Sequence, residues 1–82
     1  MLPVDAVVLM MNSSGMTMVQ LAEKIGRSKN FITSTVARSR QRGGSIATDT
    51  MLKVADACGY KLAYVKHDEV PEDAIVLTLS DD

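Results

Sequence analysis

The first part of the chain repeats apolar residues at helical spacing. Side chains three or four residues apart lie on one face of a helix, and this spacing joins Val4, Val7, Val8 and Met11. Proline is tolerated in a first helical turn, because the amide hydrogen that it lacks would have no partner there. The pattern therefore predicts a first helix over Pro3 to Asn12, followed by a turn at Gly15.

A second, shorter helix is predicted between a threonine and a glycine. Thr17 is a suitable N-cap, because its hydroxyl can accept a hydrogen bond from a free backbone amide. Glycine readily adopts the left-handed conformation of a C-cap, so Gly26 is expected to end the helix. The apolar face between them consists of Met18, Leu21, Ala22 and Ile25.

A third helix is expected to follow within two residues. Ser28 is its predicted N-cap, and the helix is expected to run to about Arg38, with Ile32 and Val36 as a buried pair one turn apart and Phe31 alongside. The next stretch, Ser39 to Ala47, combines two glycines with polar residues and two arginines. This composition favours a mobile surface loop.

A fourth helix is predicted to end at Gly59. Either Ser45 or Thr48 is expected to cap its N-terminus. Charged residues are interleaved with its apolar positions, which are Met51, Leu52, Val54, Ala55 and Cys58.

After Gly59 the apolar period changes to two residues, which is typical of half-buried strands. One run contains Tyr60, Leu62 and Tyr64, and the other contains Ile75, Leu77 and Leu79. The acidic connection from His67 to Asp73 then predicts a β-hairpin. The expected fold class is mostly α with a small β addition: a domain of four or five helices over residues 1–59, then a C-terminal hairpin and acidic tail over residues 60–82.

Composition narrows the classes of function. A chain of 82 residues has room for one modest core, because a domain this short buries only about 60% of its unfolded surface. Cys58 is the single cysteine, and there are no Cys/His pairs at metal-ligand spacing, so neither a disulfide, a metal nor a cofactor is expected. The sequence contains no catalytic constellation, which argues against an enzyme. The apolar stretch Val4 to Met11 is too short for a membrane span and lacks a basic flank, so a cytoplasmic location is predicted.

The formal net charge is −1, but the charges are segregated along the chain. Six of the nine basic residues lie between Lys24 and Arg42, with no Asp or Glu among them. From His67 onward every formally charged residue is acidic, including Asp81 and Asp82. A polyanion is therefore expected to approach the middle of the chain and to be repelled by its end.

The segment from Met16 to Val36 has the spacing of a helix-turn-helix unit, in which a small residue is needed where the helices cross and glycine is favoured in the turn. Ala22 and Gly26 meet both needs. The residues Gly15-Met16-Thr17, Leu21-Ala22-Glu23-Lys24-Ile25-Gly26, Ser28 and Ile32 resemble the Cro/phage-repressor helix-turn-helix family, also described as lambda repressor-like.

The run from Asp49 to Ala55 with Gly59 is similar to the fourth helix of that family, so the resemblance covers roughly residues 4 to 62. The chain departs from the family pattern at three positions. Arg27 and Thr35 stand where apolar residues are common, and Met18 replaces a frequent glutamine.

The resemblance implies that the third helix enters the major groove of double-stranded DNA. Lysine can donate to guanine and asparagine can pair with adenine. The expected base contacts are Ser28, Lys29, Asn30, Thr33 and Ser34. The expected phosphate contacts are Thr17, Gln20, Arg27, Arg38, Arg40 and Arg42.

A homodimer is expected, because one helix reads only a few base pairs and proteins of this size bind paired half-sites. Its interface is predicted on a joint sheet built from Tyr60, Leu62, Tyr64, Ile75, Leu77 and Leu79. The predicted function is a homodimeric transcriptional regulator, a repressor of phage or mobile-element type on a palindromic operator. Two alternatives stay open: an antitoxin that represses its own operon and binds a toxin protein, and a protein-interaction module on the same fold.

Overall fold

Four α-helices follow one another in the chain within residues 1–80, the range that the computed structural model describes. They are α1 (Pro3–Ser13), α2 (Met18–Lys24), α3 (Phe31–Arg40) and α4 (Thr48–Ala57), and a 3-10 helix, His67–Glu69, comes later. Helix α2 packs on α3, and α1 packs on α4. None of the helices in this range is long and apolar enough to cross a membrane. The predicted acidic end at Asp81 and Asp82 lies outside the described residues.

The core lies where all four helices meet. Its largest fully buried side chains come from each helix in turn: Val4, Val7, Leu21, Ile32 and Val54. The apolar faces predicted from spacing are therefore confirmed in their main positions, while Val8 and Ile25 are half-buried at the edge of the core. Leu52 is the exception among the predicted positions of α4, because its side chain is exposed.

Both predicted ends of α2 are confirmed. The Thr17 hydroxyl accepts a hydrogen bond from the Gln20 amide, and the Gln20 side chain accepts one from the Thr17 amide, which completes a capping box. At the other end Gly26 has a φ of +77°. The amide of Arg27 donates to the carbonyl of Ala22 at 2.9 Å, the bond that closes a Schellman turn. This turn sets the direction in which the chain leaves α2 toward α3.

The predicted starts of the third and fourth helices are wrong. Helix α3 begins at Phe31, and its N-cap is Asn30 rather than Ser28. The carbonyl of Ser28 accepts from the amide of Phe31 at 3.0 Å, so a tight i to i+3 turn precedes the regular helix. Helix α4 has Ala47 as its N-cap with no side-chain cap.

The prediction of a mobile loop over residues 39–47 also needs correction. Ser39 and Arg40 belong to α3, which is longer than expected. The turn after α3 is closed by backbone hydrogen bonds to the carbonyl of Ser39. Neither Ser45 nor Thr48 caps α4, since the carbonyl of Ser45 accepts the Ser39 hydroxyl and Thr48 is the first helical residue.

The predicted β-hairpin is wrong. Residues 60–80 contain no strand, and the described fold is all-helical. The segment around Thr78 lies beside the N-terminus instead, where its amide donates to the carbonyl of Met1 at 2.8 Å. A lone two-stranded hairpin is marginal in water unless something covers one face. Only Leu62 and Ile75 pack, half-buried, against the helical core, so the cover that a hairpin needs is missing.

Candidate nucleic-acid interface

The residues predicted to contact bases form an exposed polar surface on and before α3. Ser28, Lys29 and Asn30 lie in the turn that leads into the helix, and Thr33 and Ser34 lie on its first turns. All five are exposed. On the opposite side of the same segment Ile32 and Val36 are buried in the core. The α3 segment is thus amphipathic, with one side that holds it to the protein and one side open to a ligand.

The start of α2 lies next to this polar surface. The Thr33 hydroxyl donates to the sulfur of Met18 at 3.5 Å, a contact between the two helices. The capping box of α2 uses only the acceptor oxygens of Thr17 and Gln20. The hydroxyl hydrogen of Thr17 and the side-chain amide hydrogens of Gln20 are therefore still available as donors to an anion.

Arg27 is exposed, although it stands where the resembled family has an apolar residue. Its guanidinium carbon lies 4.9 Å from the centroid of the Phe31 ring. A cation over an aromatic face is stabilised by about 0.5–1 kcal/mol at an exposed site. The Phe31 ring covers one face of the guanidinium near the start of α3, and a guanidinium stacked in this way still has N–H donors at its edge.

The other predicted phosphate-binding arginines lie at the opposite end of α3. Arg38, Arg40 and Arg42 are all exposed. Arg40 also makes an ion pair that sequence analysis missed, with its Nη1 atom 3.3 Å from Oδ1 of Asp5 on α1. The two side chains are 53% and 37% exposed, and a pair as open as this contributes only about 0–1 kcal/mol. Asp5 therefore holds the Arg40 side chain only weakly.

Of the six residues predicted to form a dimer interface, four line one groove and two lie outside it. Leu62, Tyr64, Ile75 and Leu77 line an apolar groove of about 590 Å³ between the tail and α4. Tyr60 and Leu79 are exposed outside it. Sequence analysis missed the wall on the helical side, which includes Ile46, Met51 and Leu52. That wall was not predictable from periodicity, because it depends on how the tail folds back over α4.

In the described residues no group of three or more His, Cys, Asp or Glu side chains is placed to hold a metal ion. The single thiol, Cys58, is buried at the end of α4. Comparison of the chain with protein-family models, with curated proteins and with solved structures finds no match.

Proposed function

We propose that this protein is a sequence-specific regulator of transcription that reads double-stranded DNA with the α3 segment. The observation that carries the proposal is the two-sided arrangement of that segment: the polar residues Ser28 to Ser34 are exposed, while Ile32 and Val36 anchor it to the core. A helix that enters the major groove needs this combination of an open polar face and a rigid support.

The charge pattern supports the same proposal. Arg27 lies in the turn before α3, Arg38 and Arg40 lie in the last turn of α3, and Arg42 follows its end, all with exposed side chains. Phosphate contacts on both sides of a segment that contacts bases set the position of that segment along the duplex. The base contacts between them supply the sequence preference. Binding of this kind weakens steeply as salt concentration rises.

The proposed working form is a homodimer in the cytoplasm that binds a palindromic operator as a repressor, and the resemblance to the phage-repressor family favours this form. Tyr64 and Leu79 are 104% and 102% exposed, and the apolar groove lies beside Tyr64. Large apolar side chains that are exposed to solvent near an apolar groove are characteristic of protein interaction sites. We assign the dimer contact to these tail side chains, and not to the joint sheet that the sequence predicted.

The apolar groove also favours a second candidate, an antitoxin that binds a toxin protein. In that case the toxin protein, rather than a second copy of this chain, covers the same tail surface. Purification from the native host distinguishes the two, since an antitoxin is recovered with a different protein at fixed stoichiometry.

Selection of bound duplexes from a random DNA pool tests the main proposal with the full chain. We expect an enriched sequence with two related half-sites whose centres are about 10 base pairs apart or a multiple of this. Binding that is absent at low salt, together with no enrichment, would contradict the proposal.

A further inference from the structure

The turn that follows α3 is closed around one buried serine. Ser39 is 3% exposed, and its hydroxyl donates to the carbonyl of Ser45 at 2.6 Å. Its own carbonyl accepts from the amides of Arg42 and Gly44 at 2.9 and 2.8 Å. A buried hydroxyl needs a hydrogen-bond partner, so Ser39 and the turn hold each other in one conformation.

The same turn is fastened to the first turn of α1. The carbonyl of Gly44 accepts from the amide of Val4 at 3.0 Å, one of the amides that a helix start leaves without an internal partner. Gly44 is buried, has a φ of +87°, and lies against Leu2 so closely that a Cβ atom added to it would be 2.8 Å from Leu2 Cδ1. Only glycine meets both conditions, the left-handed backbone and the close contact.

The ion pair between Arg40 and Asp5 spans this junction as well. Arg38 and Arg40 are the chain neighbours of Ser39, and Arg42 lies inside the turn that Ser39 closes. When Ser39 faces the core, the helical geometry directs both of its neighbours away from that side. The turn therefore places Arg42 directly, and it holds the end of α3, where Arg40 lies, against the first turn of α1.

We propose that Ser39 and Gly44 are positioning residues that hold Arg40 and Arg42 ready to bind DNA phosphates. This inference rests on the proposed DNA-binding function. A segment that is already ordered loses less conformational entropy when it binds than a mobile loop loses. Ser39 and Gly44 act through the arginines, and neither residue contacts DNA.

Gly44→Ala tests the positioning role of Gly44, and Gly43→Ala is its matched control. Both glycines have positive φ, +87° and +79°, but a Cβ atom at position 43 meets nothing within 4 Å. The probe is a random-sequence duplex, and its dissociation constant is measured by fluorescence anisotropy over a range of KCl concentrations. Circular dichroism identifies a temperature at which all variants are folded.

We expect Gly44→Ala to weaken binding about tenfold and to lower the salt slope by about 0.9 for each phosphate that the displaced arginines no longer bind. Gly43→Ala should stay within about threefold of the wild type and keep its slope, because backbone strain alone does not move the turn from Leu2. A purely structural role for Gly44 would lower the melting temperature and leave the salt slope unchanged.

Leu2→Ala supplies a rescue, since it removes two of the three side-chain atoms that crowd a Cβ at position 44. The double variant should recover most of the affinity that Gly44→Ala removes, whereas additive effects would overturn the assignment of the Leu2 contact. If Gly44→Ala does not fold, Ser39→Ala takes its place. Its control is Ser45→Ala, which keeps the carbonyl that Ser39 contacts.

The outcomes distinguish the two proposals. Wild-type protein that shows no salt-dependent binding to the duplex overturns the proposed function, and with it this inference. Wild-type protein that binds, with Gly44→Ala and Ser39→Ala identical to their controls in affinity and slope, overturns the positioning role alone.

Discussion

Residues 1–59 and residues 60–80 are both rich in apolar side chains, but only the first region buries them. Each helix contributes fully buried residues to the core, such as Val4, Leu21 and Val54. In the described part of the tail the most covered apolar residues, Leu62 and Ile75, are only half-buried. An apolar pattern therefore indicates which side chains benefit from burial, without showing whether the chain itself supplies the surface that covers them.

The helical region has that surface because its four amphipathic faces converge on each other. The tail lies along α4 and the N-terminus and reaches the turn after α3, where Leu79 and Ser80 line a shallow depression with Arg40. It nevertheless leaves the side chains of Tyr64 and Leu79 in solvent. This contrast separates a region that folds on its own contacts from one whose apolar residues are available to another molecule. Four experiments test the contrast and the two roles proposed within the helical region, from the largest expected effect to the smallest.

Leu21→Ala should have the largest effect, because Leu21 is fully buried where α2 meets the core. Loss of a buried leucine side chain lowers the free energy of unfolding by about 2.7–5 kcal/mol. Leu79→Ala in the tail should change it by less than about 0.5 kcal/mol at low protein concentration. Urea unfolding followed by circular dichroism measures both, and equal losses would show that the tail belongs to the core.

Tyr64→Ala should weaken the proposed dimer, because an aromatic side chain that is fully exposed in one copy can be buried against the second copy. A central aromatic contact contributes about 2 kcal/mol or more, which raises the dimer dissociation constant about 30-fold. Sedimentation equilibrium measures this constant. Val19→Ala is the control, since Val19 is an exposed apolar residue on α2, and the same loss in both variants would argue against a specific tail contact.

Asn30→Ala and Arg42→Ala should separate base reading from phosphate binding within the helical region. Loss of the Asn30 amide should remove the preference at one base position, worth about 1–3 kcal/mol. Arg42→Ala should weaken binding to all sequences alike and lower the salt slope by about 0.9. Titration of selected and mismatched duplexes distinguishes the two patterns, and identical behaviour of both variants would refute this division of roles.

Asp5→Asn should have only a small effect on stability, because the ion pair that it breaks is exposed and contributes only about 0–1 kcal/mol. It also frees Arg40, so affinity for DNA should rise modestly. Asp49→Asn removes the same charge from the first turn of α4 and is the control for net charge. Equal gains in DNA affinity from both variants would show that Asp5 acts through the net charge of the protein and not through its contact with Arg40.

Sequence reasoning was most successful where structure depends on near neighbours. The N-cap Thr17 and the turn residue Gly26 were predicted correctly, because a cap depends on hydrogen bonds within a few residues. It was less successful at the start of α3, where the tight turn after Ser28 delays the regular helix. The Arg40–Asp5 contact joins residues 35 positions apart, and no local signal marks it.

The sequence by itself determined the order of the helices, their main buried faces and the segregation of basic from acidic residues, because periodicity and charge are properties of neighbouring positions. Only the tertiary structure decided the fate of the tail and of the turn after α3. The tail forms no hairpin, and of its apolar residues only Leu62 and Ile75 pack against the helices in the described chain. The turn is ordered because Ser39, Gly44 and Leu2 meet only once α1 and α3 are packed.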